Sequence, residues 1–229
     1  MTSEPADRCP CPKCPCPVCR QWSLCVLITD SLCARPWEEV ARAVLDAGAD
    51  CIQLREKHLA GRELLRRASL LRAMTNDAGA ALIINDRPDI AALAEADGVH
   101  LGQTDLPVDE ARRIVGDGLC IGVSATTLDQ ASEALRAGAD TLGLGPIFPT
   151  TTKPDPGGRT DGSVAGPSLA RAVLTKHPGT PHLAIGGIGP ENIDALREAG
   201  VRGIAVSGVV CAADDPGSIA SQLLEAMRP

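Results

Sequence analysis

Gln53, Arg55 and Lys57 alternate along the segment QLREK, so on an extended chain they share one face while Leu54 and Glu56 take the other. Polar residues on an inner face suit a ligand; a solvated edge strand shows the same alternation. Two carboxylates follow, Asp86 in INDRPD and Asp105 in GVHLGQTD. Carboxylates beside cations oppose anion binding unless a divalent metal sits between them and the anion. Mg2+ takes such hard oxygen ligands and fills its shell with waters and phosphate oxygens. Each aspartate has a second reading as a helix cap, because Pro88 and Pro107 each follow two residues later. Ser124 in GVSATT has no Gly-x-Ser-x-Gly context and no paired base, which points to hydrogen bonding or capping rather than nucleophilic attack. Thr150, Thr151, Thr152 and Lys153 crowd three hydroxyls and a cation into GPIFPTTTK. Gly186, Gly187 and the run Val206-Ser207-Gly208 offer backbone that an anion can approach closely. His100 reads as a satisfied core histidine on the body of its strand.

These residues fall at the ends of short apolar runs. Eight such runs occur, at 24–29, 51–55, 81–85, 98–101, 119–124, 141–144, 182–186 and 203–207. Between and after them lie amphipathic stretches at 37–47, 61–78, 88–95, 107–115, 128–137, 167–175, 190–199 and 215–227, the alternation of a parallel α/β fold. AGAD at 47–50 recurs at 137–140, EAD ends at Asp97 and AGVR ends at Arg202, so a pair of βα modules repeats four times. The expected fold is a single (β/α)8 TIM barrel over 22–229, with an open doubly wound sheet as the alternative and an insertion near 146–165. Ligands of such a barrel bind at the carboxyl ends of its strands, where the residues above lie.

The 229 residues are 44% hydrophobic but 1% aromatic, so stacking platforms for bases are nearly absent. A net charge of −7 gives no whole-chain grip on nucleic acid or anionic membrane. No apolar run reaches membrane-spanning length, and MTSEPADR lacks the features of a secretory signal, so the cytoplasm is the expected compartment. Of ten cysteines, five (Cys9, Cys11, Cys14, Cys16 and Cys19) crowd into a Pro-rich segment at 1–21, read as a disordered tail with metal binding as the alternative. The other five read as small buried hydrophobes.

The ordered set QLREK, INDRPD, GVHLGQTD, GVS, GPIFPTTTK and AIGGI resembles the thiamine phosphate synthase family from Leu27 to Ser207. The resemblance implies a Mg2+-dependent transferase that joins hydroxymethylpyrimidine diphosphate to thiazole phosphate and releases pyrophosphate. It implies that Gln53, Arg55, Lys57, Asn85, Ser124 and Lys153 hold the pyrimidine diphosphate, with Leu54 and Glu56 in the same segment. By the same resemblance Asp86 and Asp105 bind Mg2+, and Thr150, Thr151, Thr152, Gly186, Gly187, Val206 and Ser207 surround the thiazole phosphate. Arg55, Lys57, Ser124 and Lys153 form the implied catalytic set, and the partners are these two small molecules. Thr126 stands where the family commonly carries histidine. Two rivals are a thiazole tautomerase on the same barrel, which would use that histidine, and a metal sensor acting through Cys9–Cys19.

Overall fold

The computed structural model describes residues 22–150, 152 and 164–228; the cysteine-rich segment, Thr151 and Lys153 lie outside them. Eight parallel strands close into a barrel in sequence order: β1 (Leu24–Ile28), β2 (Cys51–Leu54), β3 (Ala81–Asn85), β4 (Gly98–Leu101), β5 (Cys120–Ala125), β6 (Thr141–Leu144), β7 (His182–Ile185) and β8 (Ile204–Val206). The open-sheet alternative therefore fails, since β1 pairs with β8 through Leu24–Ile204 and Val26–Val206.

Helices α1 (Trp37–Asp46), α2 (Gly61–Ala78), α3 (Pro88–Leu93), α4 (Val108–Val115), α5 (Leu128–Arg136), α6 (Gly166–Lys176), α7 (Ile193–Glu198) and α9 (Pro216–Met227) follow the strands. Two elements that the apolar pattern does not mark are α8 (Gly208–Cys211) and a 3-10 turn at Asp30–Leu32. Both are too short to show a periodicity. In α1 the buried residues Trp37, Val40, Ala41, Val44 and Leu45 follow the helical period. Asp215 starts α9 by accepting the Ser218 N–H at 2.9 Å. Among the described residues no helix is long and apolar enough to cross a membrane.

Strand alternation separates two apolar layers. Outward residues such as Leu24, Val26, Ile52, Leu82 and Ile121 pack beneath the helices and are fully buried. Burial of a side chain of this size contributes about 1.5–3 kcal/mol. The smaller inner cluster is Trp22, Cys25, Leu27, Cys51, Ala81, Ile83 and Ala205. TIM-barrel interiors are usually packed with bulky branched residues. Here the small inner residues leave a cavity of about 310 Å3, lined from Trp22 and Cys25 up to Arg55, Ser124 and Ser207.

The AGAD repeat has a structural cause. Asp50, just before β2, accepts the Ser23 and Leu24 N–H groups at the start of β1, at 2.8 and 3.1 Å. Asp97 before β4 does the same for Leu82 in β3 at 2.7 Å, and Asp140 before β6 for Ile121 in β5 at 2.9 Å. Each carboxylate ties a module pair together by satisfying a strand-opening donor. The fourth pair reverses the polarity: Arg202, where the aspartate would stand, gives its backbone N–H to His182 Nε2 at 3.3 Å.

Candidate active site at the barrel mouth

Gln53 and Arg55 face the cavity, as their shared parity requires. Gln53 is buried, and its Nε2 donates to Asn85 Oδ1 at 2.9 Å, leaving the Asn85 NH2 group as the donor end of the pair. Lys57 reaches across to Asp86, Nζ to Oδ2 at 3.2 Å. Leu54 and Glu56 require correction as substrate contacts. Leu54 points outward into the layer beneath the helices. Glu56 accepts the Asp30 N–H at 2.8 Å and the Arg67 guanidinium at 3.1 Å. Opposite parity turns both side chains from the mouth, and Glu56 ties the loop carrying Arg55 and Lys57 to the β1 loop and α2.

Neither aspartate is a helix cap. Helix α3 begins behind Arg87 and α4 behind Pro107, and neither start has a side-chain cap. Asp86 instead has φ +62°, and its N–H bonds to His100 O at 2.8 Å. A left-handed backbone at a non-glycine residue costs on the order of 1–3 kcal/mol and persists where the surroundings enforce it. That conformation aims the carboxylate at Lys57 and brings it within hydrogen-bonding reach of Asp105. Asp105 Oδ2 also accepts the Gly102 N–H at 2.7 Å. Burial, followed by the neighbouring Asp105, pushes the Asp86 carboxyl above the usual carboxylate range, and Lys57 opposes the shift. Two hard oxygen donors crowded together in this way fit a divalent cation. No cluster of three or more metal-ligating side chains occurs among the described residues, so the protein would supply two carboxylates, a small set of the kind Mg2+ takes with water and phosphate oxygens.

His100, read from the sequence as a core residue, belongs to the site. Its Nε2 lies 2.9 Å from Ser124 Oγ, and both residues line the cavity. A Cβ on Gly122 would come within 2.7 Å of the imidazole and one on Gly143 within 2.8 Å, so bare backbone on β5 and β6 makes room for the ring. That pair of inward glycines beside an inward histidine was the available signal. Ser124 is not a cap either, since Thr127 starts α5 by accepting the Gln130 N–H at 3.2 Å. Gln103 Nε2 holds Ser124 O at 2.7 Å. Thr126 reaches the cavity wall, but its hydroxyl and N–H both donate to Gln130 Oε1, at 2.9 and 2.8 Å. A threonine so engaged cannot exchange protons as an imidazole does.

Across the mouth, the chain after β6 continues as an extension of the sheet: Ile147 N–H donates to Ile185 O at 2.9 Å and Phe148 N–H to Gly186 O at 3.0 Å. Gly187 permits this approach. Its φ is +66°, and a Cβ there would collide with Pro149 O. The loop thereby delivers Thr150 and Thr152 to the cavity, with Thr152 Oγ1 close to Gly208 at the start of α8. Asn192 fixes the other side by donating to Gly187 O at 2.8 Å and accepting from Gly189 N at 3.1 Å. Ser207 Oγ donates to Leu27 O at 3.0 Å. Gly186, Gly187, Val206 and Ser207 thus line the same cavity as Thr150, Thr152, Arg55 and Asn85.

A family profile described as thiamine monophosphate synthase matches residues 24–210, which takes in all eight strands and most of α8. This chain belongs to that family. It is 45% identical to the thiamine-phosphate synthase of Chloroflexus aurantiacus over 203 residues, covering 88% of this chain and 91% of that protein. The thiamine-phosphate synthase of Moorella thermoacetica is 44% identical over 206 residues, covering 90% and 95%. Among solved structures, the thiamine phosphate pyrophosphorylase from Pyrococcus furiosus superposes with a TM-score of 0.81 at 34% identity, covering 90% of this chain and 96% of that one. The family match ends just beyond β8, so α9, which closes the barrel against α1, lies past it.

Proposed function

We propose that the barrel mouth is a thiamine phosphate synthase site. It transfers the 4-amino-2-methylpyrimidin-5-ylmethyl group from its diphosphate to the ring nitrogen of 4-methyl-5-(2-phosphooxyethyl)thiazole, giving thiamine phosphate and pyrophosphate. The observation that carries this reading is one cavity at the strand ends lined both by Arg55 and Asn85, with Lys57 held nearby on Asp86, and by Thr150, Thr152, Gly187 and Ser207. A condensation of two phosphorylated substrates needs two such sets of residues around one reacting centre.

In the reaction the bond between the methylene carbon and the diphosphate oxygen breaks, and a bond from that carbon to the thiazole nitrogen forms. No protein nucleophile is needed, because the nitrogen supplies the electron pair. The protein's task is to hold the two rings in line and to stabilise the charge that develops on the leaving diphosphate. Arg55 and Lys57 answer that charge from the segment that follows β2, and Lys153, next to Thr152 in the sequence, would add a third cation. Gln53, locked to Asn85, and Ser124, locked between His100 and Gln103, present fixed hydrogen-bonding groups to the pyrimidine. Asp86 and Asp105 would hold Mg2+, which supplies counter-charge to the diphosphate oxygens.

The test is formation of thiamine phosphate from the two substrates and Mg2+ by the purified protein, beside the Arg55→Ala variant. The wild-type protein should form product and the variant at least about a hundredfold less, as expected for loss of a donor to developing anionic charge. Equal rates in the two proteins would remove the diphosphate from Arg55.

A further inference from the structure

Two of the five described free cysteines meet directly beside the wall assigned to the thiazole phosphate. Cys33 follows the 3-10 turn after β1, and Cys211 ends α8, whose first residue follows Ser207. The two segments run in contact, with Ala34 N–H donating to Cys211 O at 2.9 Å, and the two thiols lie beside each other. Each sulfur also donates to a backbone carbonyl: Cys33 to Thr29 O at 3.3 Å and Cys211 to Leu27 O at 3.4 Å. Leu27 O is the same carbonyl that receives the Ser207 hydroxyl. The state of Cys211 therefore bears on the acceptor that orients Ser207.

We propose that Cys33 and Cys211 are a redox-sensitive dithiol whose conversion to a disulfide weakens the neighbouring phosphate wall. The effect on thiazole phosphate rests on the function proposed above; the thiol chemistry does not. Cys33 is half-buried and offers an entry for an external reagent, while Cys211 is buried behind it. The neighbouring Cys33 favours the Cys211 thiolate most, burial opposes it, and the Thr29 backbone and Ser207 add to the effect of Cys33, so its proton affinity falls below the usual thiol range. The same contact with Cys211 pushes the Cys33 thiol up, so the first attack by Cys33 is the slow step and quickens as pH rises. Of the pair, the sulfur that would resolve a mixed disulfide is thus the better thiolate.

The oxidant is a small disulfide, RSSR. The Cys33 thiolate attacks one of its sulfurs, forming a protein mixed disulfide and releasing RS−. The Cys211 thiolate then attacks the Cys33 sulfur, closes the protein disulfide and releases the second RS−. Two protein thiols are oxidised, one RSSR is reduced to two RSH, and the two thiol protons pass to the leaving thiolates. Closing the bond removes the Cys211 S–H donation to Leu27 O, the acceptor that Ser207 shares. Cys25 and Cys51 show what the proposal requires by contrast. Their sulfurs are 3.3 Å apart, but Cys25 is only 1% exposed and Cys51 fully buried, and burial pushes the Cys51 thiol well up.

The full-length protein is incubated with oxidised glutathione or with dithiothreitol, its disulfides are mapped by mass spectrometry of unreduced peptides, and thiazole phosphate affinity is measured by calorimetry in both states. The expected results are a Cys33–Cys211 disulfide, a several-fold loss of thiazole phosphate affinity with unchanged pyrimidine diphosphate affinity, and reversal by dithiothreitol. Cys33→Ser should bind like the reduced protein in both media. Persistent glutathione on Cys33 without closure, or a closed disulfide with unchanged thiazole phosphate affinity, would overturn the proposal. A reduced protein that makes no thiamine phosphate would sink the proposed function instead, since mapping and affinity are read without turnover.

Discussion

Lys57 Nζ and Asp86 Oδ2 are 3.2 Å apart, joining the segments after β2 and β3 by a charge pair in which Asp86 has a left-handed backbone. The same conformation places Asp86 beside Asp105, a costly neighbour without a cation. Asp86→Asn and Asp105→Asn should each raise the Mg2+ concentration needed for half-maximal rate strongly, while the melting temperature without Mg2+ is kept or slightly raised. Rate against Mg2+ concentration and a thermal melt check both halves; unchanged metal dependence in both variants would take the metal elsewhere.

Lys153 lies outside the described residues and follows Thr152 directly in the sequence. A charge met mainly by the departing diphosphate acts in the transition state, so Lys153→Ala should lower kcat more than it raises KM for the pyrimidine substrate. Removal of one such donor costs about 2.7–4 kcal/mol, or roughly a hundredfold or more in rate. An effect confined to KM would make Lys153 a ground-state anchor.

The aspartate ties at the opposite end of the barrel serve stability. The Asp140 side chain is only 7% exposed, accepts the Ile121 N–H and pairs with Arg112. Asp140→Asn should cost about 1.5–3 kcal/mol in urea unfolding, the range for a hydrogen bond to a charged group, with kcat unchanged. A loss confined to kcat would mean that the strand openings communicate with the mouth.

His182 gives the fourth tie a pH dependence. Its Nδ1–H faces Thr180 O at 2.9 Å and its Nε2 accepts from Arg202 N, so the folded state holds the neutral ring. Burial is the main cause that lowers its proton affinity below the ordinary value of 6.5, with Arg202 adding to it and the Thr180 carbonyl opposing. Below pH 6.5 the unfolded chain therefore binds the proton more readily than the folded one. The stabilisation is present above that pH and is lost as pH falls toward the depressed folded value. Melting temperature between about pH 7.5 and pH 5 should fall more steeply for the wild-type protein than for His182→Gln; parallel curves would refute this.

Strand and helix positions were legible because the repeat is marked twice, by hydrophobic alternation and by the aspartates. The site was legible where side-chain parity decides, as at Gln53 and Arg55. It was not legible where backbone conformation decides. Nothing in INDRPD distinguishes a capping Asp86 from one with positive φ, because the choice depends on His100 O and Lys57 on neighbouring strands. His100 was missed for a related reason: the space it needs is made by Gly122 and Gly143, which adjoin it only once β4, β5 and β6 pair.

Trp22 is buried at the amino-terminal end of β1, on the far side from the mouth. Activity should not depend on what precedes it, so deletion of residues 1–20 should leave synthase rate and melting temperature nearly unchanged. Stoichiometric zinc in the purified protein, together with inactivity of the shortened one, would make Cys9–Cys19 a regulatory element.

The most direct test of the proposed condensation is phosphorus NMR of a complete reaction with both substrates and Mg2+. The account predicts that the two resonances of the pyrimidine diphosphate give way to a single pyrophosphate line, one equivalent for each thiamine phosphate formed, and that neither substrate alone is changed. Release of pyrophosphate without thiamine phosphate, or of orthophosphate in its place, would contradict it.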